Sequence, residues 1–195
     1  MYDSSQELTA LISSRICHDL ASPLGAIANG LELLELTGLA DTPEAALLSD
    51  SVQSASARIA YFRIAFGPAN AATLISPAVA QNYGERKIHI NWQATADCPR
   101  TMAKLLFLLV QSAETALPYG GDVALQDTDG VWTITCTARE VRLDPDLWGQ
   151  LNADSTATSL QSSQVQFALA QLQAGAMNKT ITHAHTEDTL TITVA

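Results

Sequence analysis

The sequence predicts an α+β fold in two parts, an N-terminal antiparallel helical hairpin over residues 1–68 and a C-terminal α/β sandwich over residues 74–195. Three observations carry this. Apolar residues recur at alternating spacings of three and four from Leu8 to Phe66, which is the period of helices with one buried stripe. After Gly67-Pro68 the period changes to short alternating runs bounded by turn residues, the signature of strands. Those runs come mostly as hairpins with the helical stretches set apart from them, so a mostly antiparallel sheet carries segregated helices.

The first helix is expected from about Ser5 to Leu36, capped by Ser4 or Ser5 and closed at Thr37-Gly38, where glycine takes the left-handed stop. Its seam is Leu8, Leu11/Ile12, Ile16, Leu20, Leu24, Ile27, Leu31 and Leu34. At about 1.5 Å per residue it is about 48 Å long, too long to stand unless that seam is covered. A second helix restarts at Thr42-Pro43, with threonine as cap and proline at the first helical position. Its apolar stripe is Ala45, Leu48, Val52, Ala55, Ile59, Phe62 and Phe66. A short turn makes the pair antiparallel, and a lone hairpin leaves half of each seam wet. Pairing with a second copy into a dimeric four-helix bundle covers them, the alternative being packing on the chain's own C-terminal half.

Residues 68–73 read as a linker. Ser76-Pro77 opens a short helix to about Tyr83, and Lys87 to Gln93 alternates as a strand. Arg100 to Leu117 is a strongly apolar helix stopped by Pro118-Tyr119-Gly120-Gly121. Asp122 to Gln126 and Val131 to Ala138 form a hairpin through Asp127-Thr128-Asp129-Gly130. A further helix spans Ser159 to Ala174, and strands Met177 to His183 and Thr189 to Val194 close the chain. Trp92, Trp132 and Trp148 belong to the core of this part.

Composition narrows the function. The 195 residues are 47% hydrophobic and can fill a core. Twenty acids against ten scattered bases, a formal charge of -10, exclude nucleic acid or an anionic membrane as the partner, since both need clustered lysine and arginine. No apolar run reaches the length of a membrane span, and the N-terminus has neither a charged leader nor an apolar h-region, so a cytoplasmic location is expected. Cys17, Cys98 and Cys136 are far apart and outside any C-x-x-C arrangement, which makes them buried fillers rather than a disulfide or zinc framework.

One histidine sits where a core has no use for it. His18 lies about 200° from Ile16 and Leu20 and about 180° from Ile27, on a polar face with Arg15, Ser22, Gly25, Asn29 and Glu32. Imidazole is the only ring-nitrogen nucleophile among the side chains, and a solvated one is largely neutral at cytoplasmic pH. Asp19 follows directly and is placed to orient the ring or hold its proton. Pro23 offers no N–H to the Asp19 carbonyl, which predicts a bend or loosening within a turn of the histidine. Other candidates are weaker. His183 and His185 share one side of an extended segment but have no legible third metal ligand, His89 reads as an outward strand residue, and Glu114 stands on an otherwise apolar helix.

The run His18-Asp19-Leu20-Ala21-Ser22-Pro23-Leu24 resembles the H box of sensor histidine kinases, where a histidine, an acid and a leucine precede a polar residue, a proline and a leucine. Its continuation, Gly25-Ala26-Ile27-Ala28-Asn29-Gly30-Leu31-Glu32-Leu33-Leu34, is similar to the alphaproteobacterial histidine phosphotransferases of the ChpT type. The resemblance covers the first helix closely and the remainder in outline. It implies a phosphorelay in which His18 carries a phosphoryl group between receiver aspartates, with Asp19 beside it and Arg15, Ser22, Pro23, Gly25 and Asn29 as the receiver-docking face. It also implies a homodimer, a donor receiver on a hybrid histidine kinase, and an acceptor regulator of the CtrA kind.

The order of elements after residue 74 resembles the kinases' ATP-binding domain in degenerate form. Positions that carry asparagines for magnesium and phosphate in those enzymes are here Phe107 and Gln111. No D-x-G-x-G segment follows the next strand, and 154–160, where a lid falls, has no glycine to cradle phosphate. The chain is therefore expected to bind no ATP and to hold no cofactor, with magnesium supplied by the partner receiver. Two rivals are an ATP-dependent histidine kinase with a divergent pocket and a non-catalytic dimeric module that binds a regulator.

Overall fold

The computed structural model describes residues 4–38, 42–69, 73–83, 88–93, 97–151 and 161–195, with side chains described from Thr9 onward. The chain divides into two compact units, Met1–Pro68 and Ala69–Ala195.

The first unit is a helical hairpin of α1 (Ser4–Leu36) and α2 (Pro43–Ala65). The cap position of α1 lies outside the described residues. Its C-terminus closes as glycine allows. Gly38 takes φ +70°, its N–H reaches the Glu35 carbonyl at 3.0 Å, and Thr37 Oγ1 donates to the Leu34 carbonyl at 3.0 Å. At the start of α2 the Thr42 hydroxyl accepts from the Ala45 N–H at 3.2 Å, with Pro43 at the first helical position. Despite the proline at 23, α1 is helical without interruption from end to end.

The seam of α1 differs from the sequence reading. The buried line is Ala10, Cys17 and Leu31, with Leu24 half-buried between them, one residue every seven. Ile16, Leu20, Ile27 and Leu34, read as seam residues, are 54%, 51%, 51% and 44% exposed. The reason is geometric: one neighbouring helix covers one stripe, and α1 carries two. On α2 the same seven-residue spacing runs through Ala45, Val52 and Ile59, while Leu48 is exposed.

The second unit is a five-stranded sheet with helices packed on one face. The strands are β2 (Ile88–Trp92), β4 (Gly121–Thr128), β5 (Val131–Thr137), β6 (Ile181–His185) and β7 (Thr189–Val194), in the order β2-β4-β5-β7-β6. Only β2 and β4 run parallel. A separate two-stranded pairing joins β1 (Leu74–Ile75) to β3 (Cys98–Pro99). The helices are α3 (Ala78–Tyr83), α4 (Arg100–Ala116), α5 (Pro145–Trp148) and α6 (Val165–Ala176).

Alternation along the strands sends Ile88, Ile90, Val123, Leu125, Ile134, Ile192 and Val194 into the core. Opposite them, every side chain from Leu105 to Val110 of α4 is buried. The three tryptophans are core residues. Trp92 meets Phe107 edge-on at 6.2 Å and Trp132 at 5.3 Å, and Trp148 meets Phe167 at 5.5 Å.

Two boundaries are corrected. The helix expected from Ser159 becomes regular at Val165, after a single 3₁₀ turn over Ser162–Gln164, and 159–160 lie outside the described residues. The strand expected from Met177 starts at Ile181, because Met177 caps α6 and Asn178 takes a left-handed φ of +52° to leave it. The segment 154–160, read as the lid position, also lies outside the described residues, as do 70–72 of the linker. A short helix that the sequence reading omitted, α5, is capped by Asp144, whose Oδ1 accepts from the N–H groups of Asp146 and Leu147.

Candidate functional site

The polar face of α1 is exposed as its period requires. Arg15, His18, Asp19, Ser22, Pro23 and Asn29 are exposed and Gly25 is half-exposed, while Cys17 points the other way and is buried. The His18 side chain is 79% exposed. Its Nδ1 lies 3.3 Å from Asp19 Oδ1, and the other Asp19 oxygen, Oδ2, accepts from Arg15 Nε at 2.8 Å. One carboxylate is thus shared between a guanidinium and an imidazole. The Arg15 hydrogen bond, and after it that of His18, holds the Asp19 carboxyl below the usual carboxylate range.

Donation from Nδ1 to an ionised Asp19 is the tautomer that leaves the lone pair at Nε2. In that tautomer the arrangement offers a solvent-facing nitrogen nucleophile whose far side faces an acid. Pro23 leaves the Asp19 carbonyl without the N–H it would otherwise receive four residues on. A Cβ built on Gly25 or Gly30 meets nothing within 4 Å among the described residues, so their packing does not demand glycine at either position.

The remaining candidates are not brought to this face. Burial raises the Cys17 thiol, offset in part by the charge of Arg63, and burial pushes both Cys98 and Cys136 up to about 12, so none of the three is a ready thiolate. His183 packs against Trp148 with the rings tilted and their centroids 5.1 Å apart, and burial, then the charge of His185, lowers its pKa. Among the described residues no group of three or more histidine, cysteine, aspartate or glutamate side chains is placed to hold a metal. His89 is exposed on β2. Glu114 accepts from the Tyr83 hydroxyl at 2.9 Å and so ties α4 to α3. Phe107 is fully buried, and the Gln111 amide nitrogen is buried without a hydrogen-bond partner among the described residues.

The family model for the histidine phosphotransferase C-terminal domain matches residues 71–189. The chain belongs to the histidine phosphotransferase family. This phosphotransferase is 41% identical over 153 residues to the protein phosphotransferase ChpT of Brucella abortus (strain 2308), covering 73% of each chain. It is similar over its whole length to a solved bacterial phosphotransferase structure, with a TM-score of 0.68 at 32% identity and 98% of that chain covered. The α+β architecture and the ChpT-type resemblance read from the first helix are thereby shown. No helix among the described residues is long and apolar enough to cross a membrane.

Sequence reading named Arg15, His18 and Asp19 but not the ion pair between the first and the last. The signal was present: the two are four residues apart on one helix and of opposite charge.

Proposed function

We propose that this histidine phosphotransferase relays a phosphoryl group between receiver aspartates through Nε2 of His18. The observation that carries the reading is the Asp19 carboxylate, which meets Arg15 with one oxygen and the His18 Nδ1 with the other on an exposed helix face. The Nε2 lone pair attacks the phosphorus of a donor's aspartyl phosphate. An N–P bond forms as the P–O bond to the carboxylate breaks, and the electron pair leaves with that carboxylate. The Nδ1–H stays hydrogen-bonded to Asp19, whose negative charge offsets the positive charge that develops on the ring. Attack by an acceptor aspartate on the same phosphorus reverses the sequence and restores the lone pair.

Such transfer through a loose transition state is mostly positioning and charge neutralisation, so the carrier supplies a nucleophile and a docking surface. In this reading magnesium comes with the receiver and ATP is not a substrate. Burial of Phe107 against Trp92 supports the latter, because that position serves nucleotide in the kinases the fold resembles. The docking face is Arg15, Ser22, Pro23, Gly25 and Asn29. A helix glycine costs about 1 kcal/mol relative to alanine. No described residue lies within 4 Å of the Cβ position of Gly25, which supports a receiver loop as the occupant of that space.

The working form is a cytoplasmic homodimer with a four-helix bundle. The exposed second stripe of α1, Ile12, Ile16, Leu20, Ile27 and Leu34, supports a second copy as its cover. The donor is a receiver of a hybrid histidine kinase and the acceptor a CtrA-like regulator, as the ChpT-type relationship suggests. The test is reconstitution with a phosphorylated donor receiver and a separate acceptor receiver. The intact chain passes label to the acceptor, and His18→Ala does not while remaining a dimer. Transfer that survives in His18→Ala would sink the proposal.

A further inference from the structure

Arg15 lies three residues before His18 and four before Asp19, so it stands about 60° round the helix from the imidazole, on the side to which Asp19 projects. Its Nε donates to Asp19 Oδ2 at 2.8 Å, while Oδ1 of the same carboxylate is 3.3 Å from His18 Nδ1. A carboxylate is planar and has one torsion of its own beyond χ1, so fixing one oxygen fixes the direction of the other.

As a helix-stabilising device the pair is poorly built. The base precedes the acid, the weaker of the two orientations at a spacing of four. The two side chains are 78% and 52% exposed, so solvent screens them. What the pair controls is where the second oxygen points. In its absence the Asp19 side chain has other staggered rotamers to visit, and the imidazole loses the acceptor that selects its proton position.

The geometry points to Arg15 as a positioning residue: by holding Asp19, it keeps the His18 ring in the Nδ1–H tautomer with the Nε2 lone pair free. This rests on the reading of His18 as the phosphoryl carrier, for which the other neutral tautomer presents a proton at the attacking nitrogen. It gives Arg15 a task inside the chain, separate from contact with a receiver. Docking and positioning predict different things for a conservative replacement. A docking contact through the planar guanidinium fork is lost in lysine. A charge that only has to reach the carboxylate one turn away is kept.

The experiment uses the full chain labelled with ¹⁵N, and reads the His18 ring nitrogens by long-range ¹H–¹⁵N correlation at a pH well above the ordinary imidazole pKa. In the unaltered protein the Nδ1–H form predominates. Arg15→Gln lowers the ratio of Nδ1–H to Nε2–H by about two- to fivefold, the range an exposed charge pair supports. Arg15→Lys recovers most of that loss, and Arg15→Gln adds nothing in an Asp19→Asn background. The single-turnover rate of phosphoryl uptake from a receiver falls by the same factor as the ratio. An unchanged tautomer ratio in Arg15→Gln overturns the inference, and so does a fall in uptake with no change in the ratio, which makes Arg15 a docking residue alone. If the ratio moves as expected but the unaltered protein takes no phosphoryl group from any receiver, the carrier reading of His18 fails and the positioning role falls with it.

Discussion

Replacing Ile27 by glutamate tests the proposed dimer from the apolar stripe of α1 that the hairpin leaves exposed. Five large side chains on that stripe, Ile12, Ile16, Leu20, Ile27 and Leu34, are between 44% and 54% exposed. Full burial of a leucine or isoleucine side chain contributes about 1.5–3 kcal/mol, so covering the exposed half contributes about 1 kcal/mol. Five such residues on each of two protomers give about 10 kcal/mol, comparable with the ~4–15 kcal/mol that association costs in lost freedom and ordering. The proposed dimer then depends on every position of the stripe being apolar.

Ile27→Glu removes about 1 kcal/mol of burial per copy and places a carboxylate against apolar surface, which costs at least as much again. Symmetry doubles the penalty to roughly 4 kcal/mol, a weakening of the dimer by about 10³. Sedimentation equilibrium over a concentration series measures it, with far-UV circular dichroism to show that the helices persist. The unaltered chain and His18→Ala are expected to be dimers at micromolar concentration, and Ile27→Glu a folded monomer. A monomeric unaltered chain, or an Ile27→Glu dimer of the same affinity, would refute the argument.

Other expectations are local. Thr42→Ala removes the hydroxyl that accepts from the Ala45 N–H and should destabilise the hairpin by about 1 kcal/mol in urea unfolding, with Thr42→Ser close to unchanged. Because Arg15, and then His18, hold the Asp19 pKa down, its contribution to stability is present above the ordinary carboxylate range and is lost as pH falls through the lower folded value. A ¹³C titration of the carboxylate should therefore have its midpoint below about 3.9 and move up in Arg15→Gln. The buried thiols of Cys98 and Cys136, pushed up to about 12, should resist alkylation at neutral pH until the protein unfolds.

The hairpin was legible because its signals are local. Gly38 and Thr42-Pro43 mark a stop and a start within a few residues, and the structure uses both as such. The exposure of His18 followed from period alone, since it lies on the opposite side of the helix from Ile16, Leu20 and Ile27. Which of two apolar stripes faces α2 was not legible: the lines through Cys17 and through Ile16 are one residue apart, and only the packing of the two helices chooses between them. The pairing of Leu74 with Pro99 and the bond from Tyr83 to Glu114 join residues far apart in sequence, and no periodicity announces either. Asp144-Pro145 did announce α5 in the same way that Thr42-Pro43 announced α2. The helix behind it spans only Pro145–Trp148, too short to show a period. At the site, the residues were readable but their hydrogen bonds were not, because a shared Asp19 carboxylate depends on rotamers that sequence does not encode.

The measurement that bears most directly on the central claim is the source and position of the phosphoryl group. The purified chain is incubated separately with labelled ATP and with a labelled, phosphorylated receiver, and the product is mapped by peptide and by stability to acid and base. Acid-labile, base-stable label on the peptide holding His18, acquired from the receiver and not from ATP, is the predicted result. Label acquired from ATP alone would make the chain a kinase, and no label from any of a panel of receivers would leave His18 without the role assigned to it.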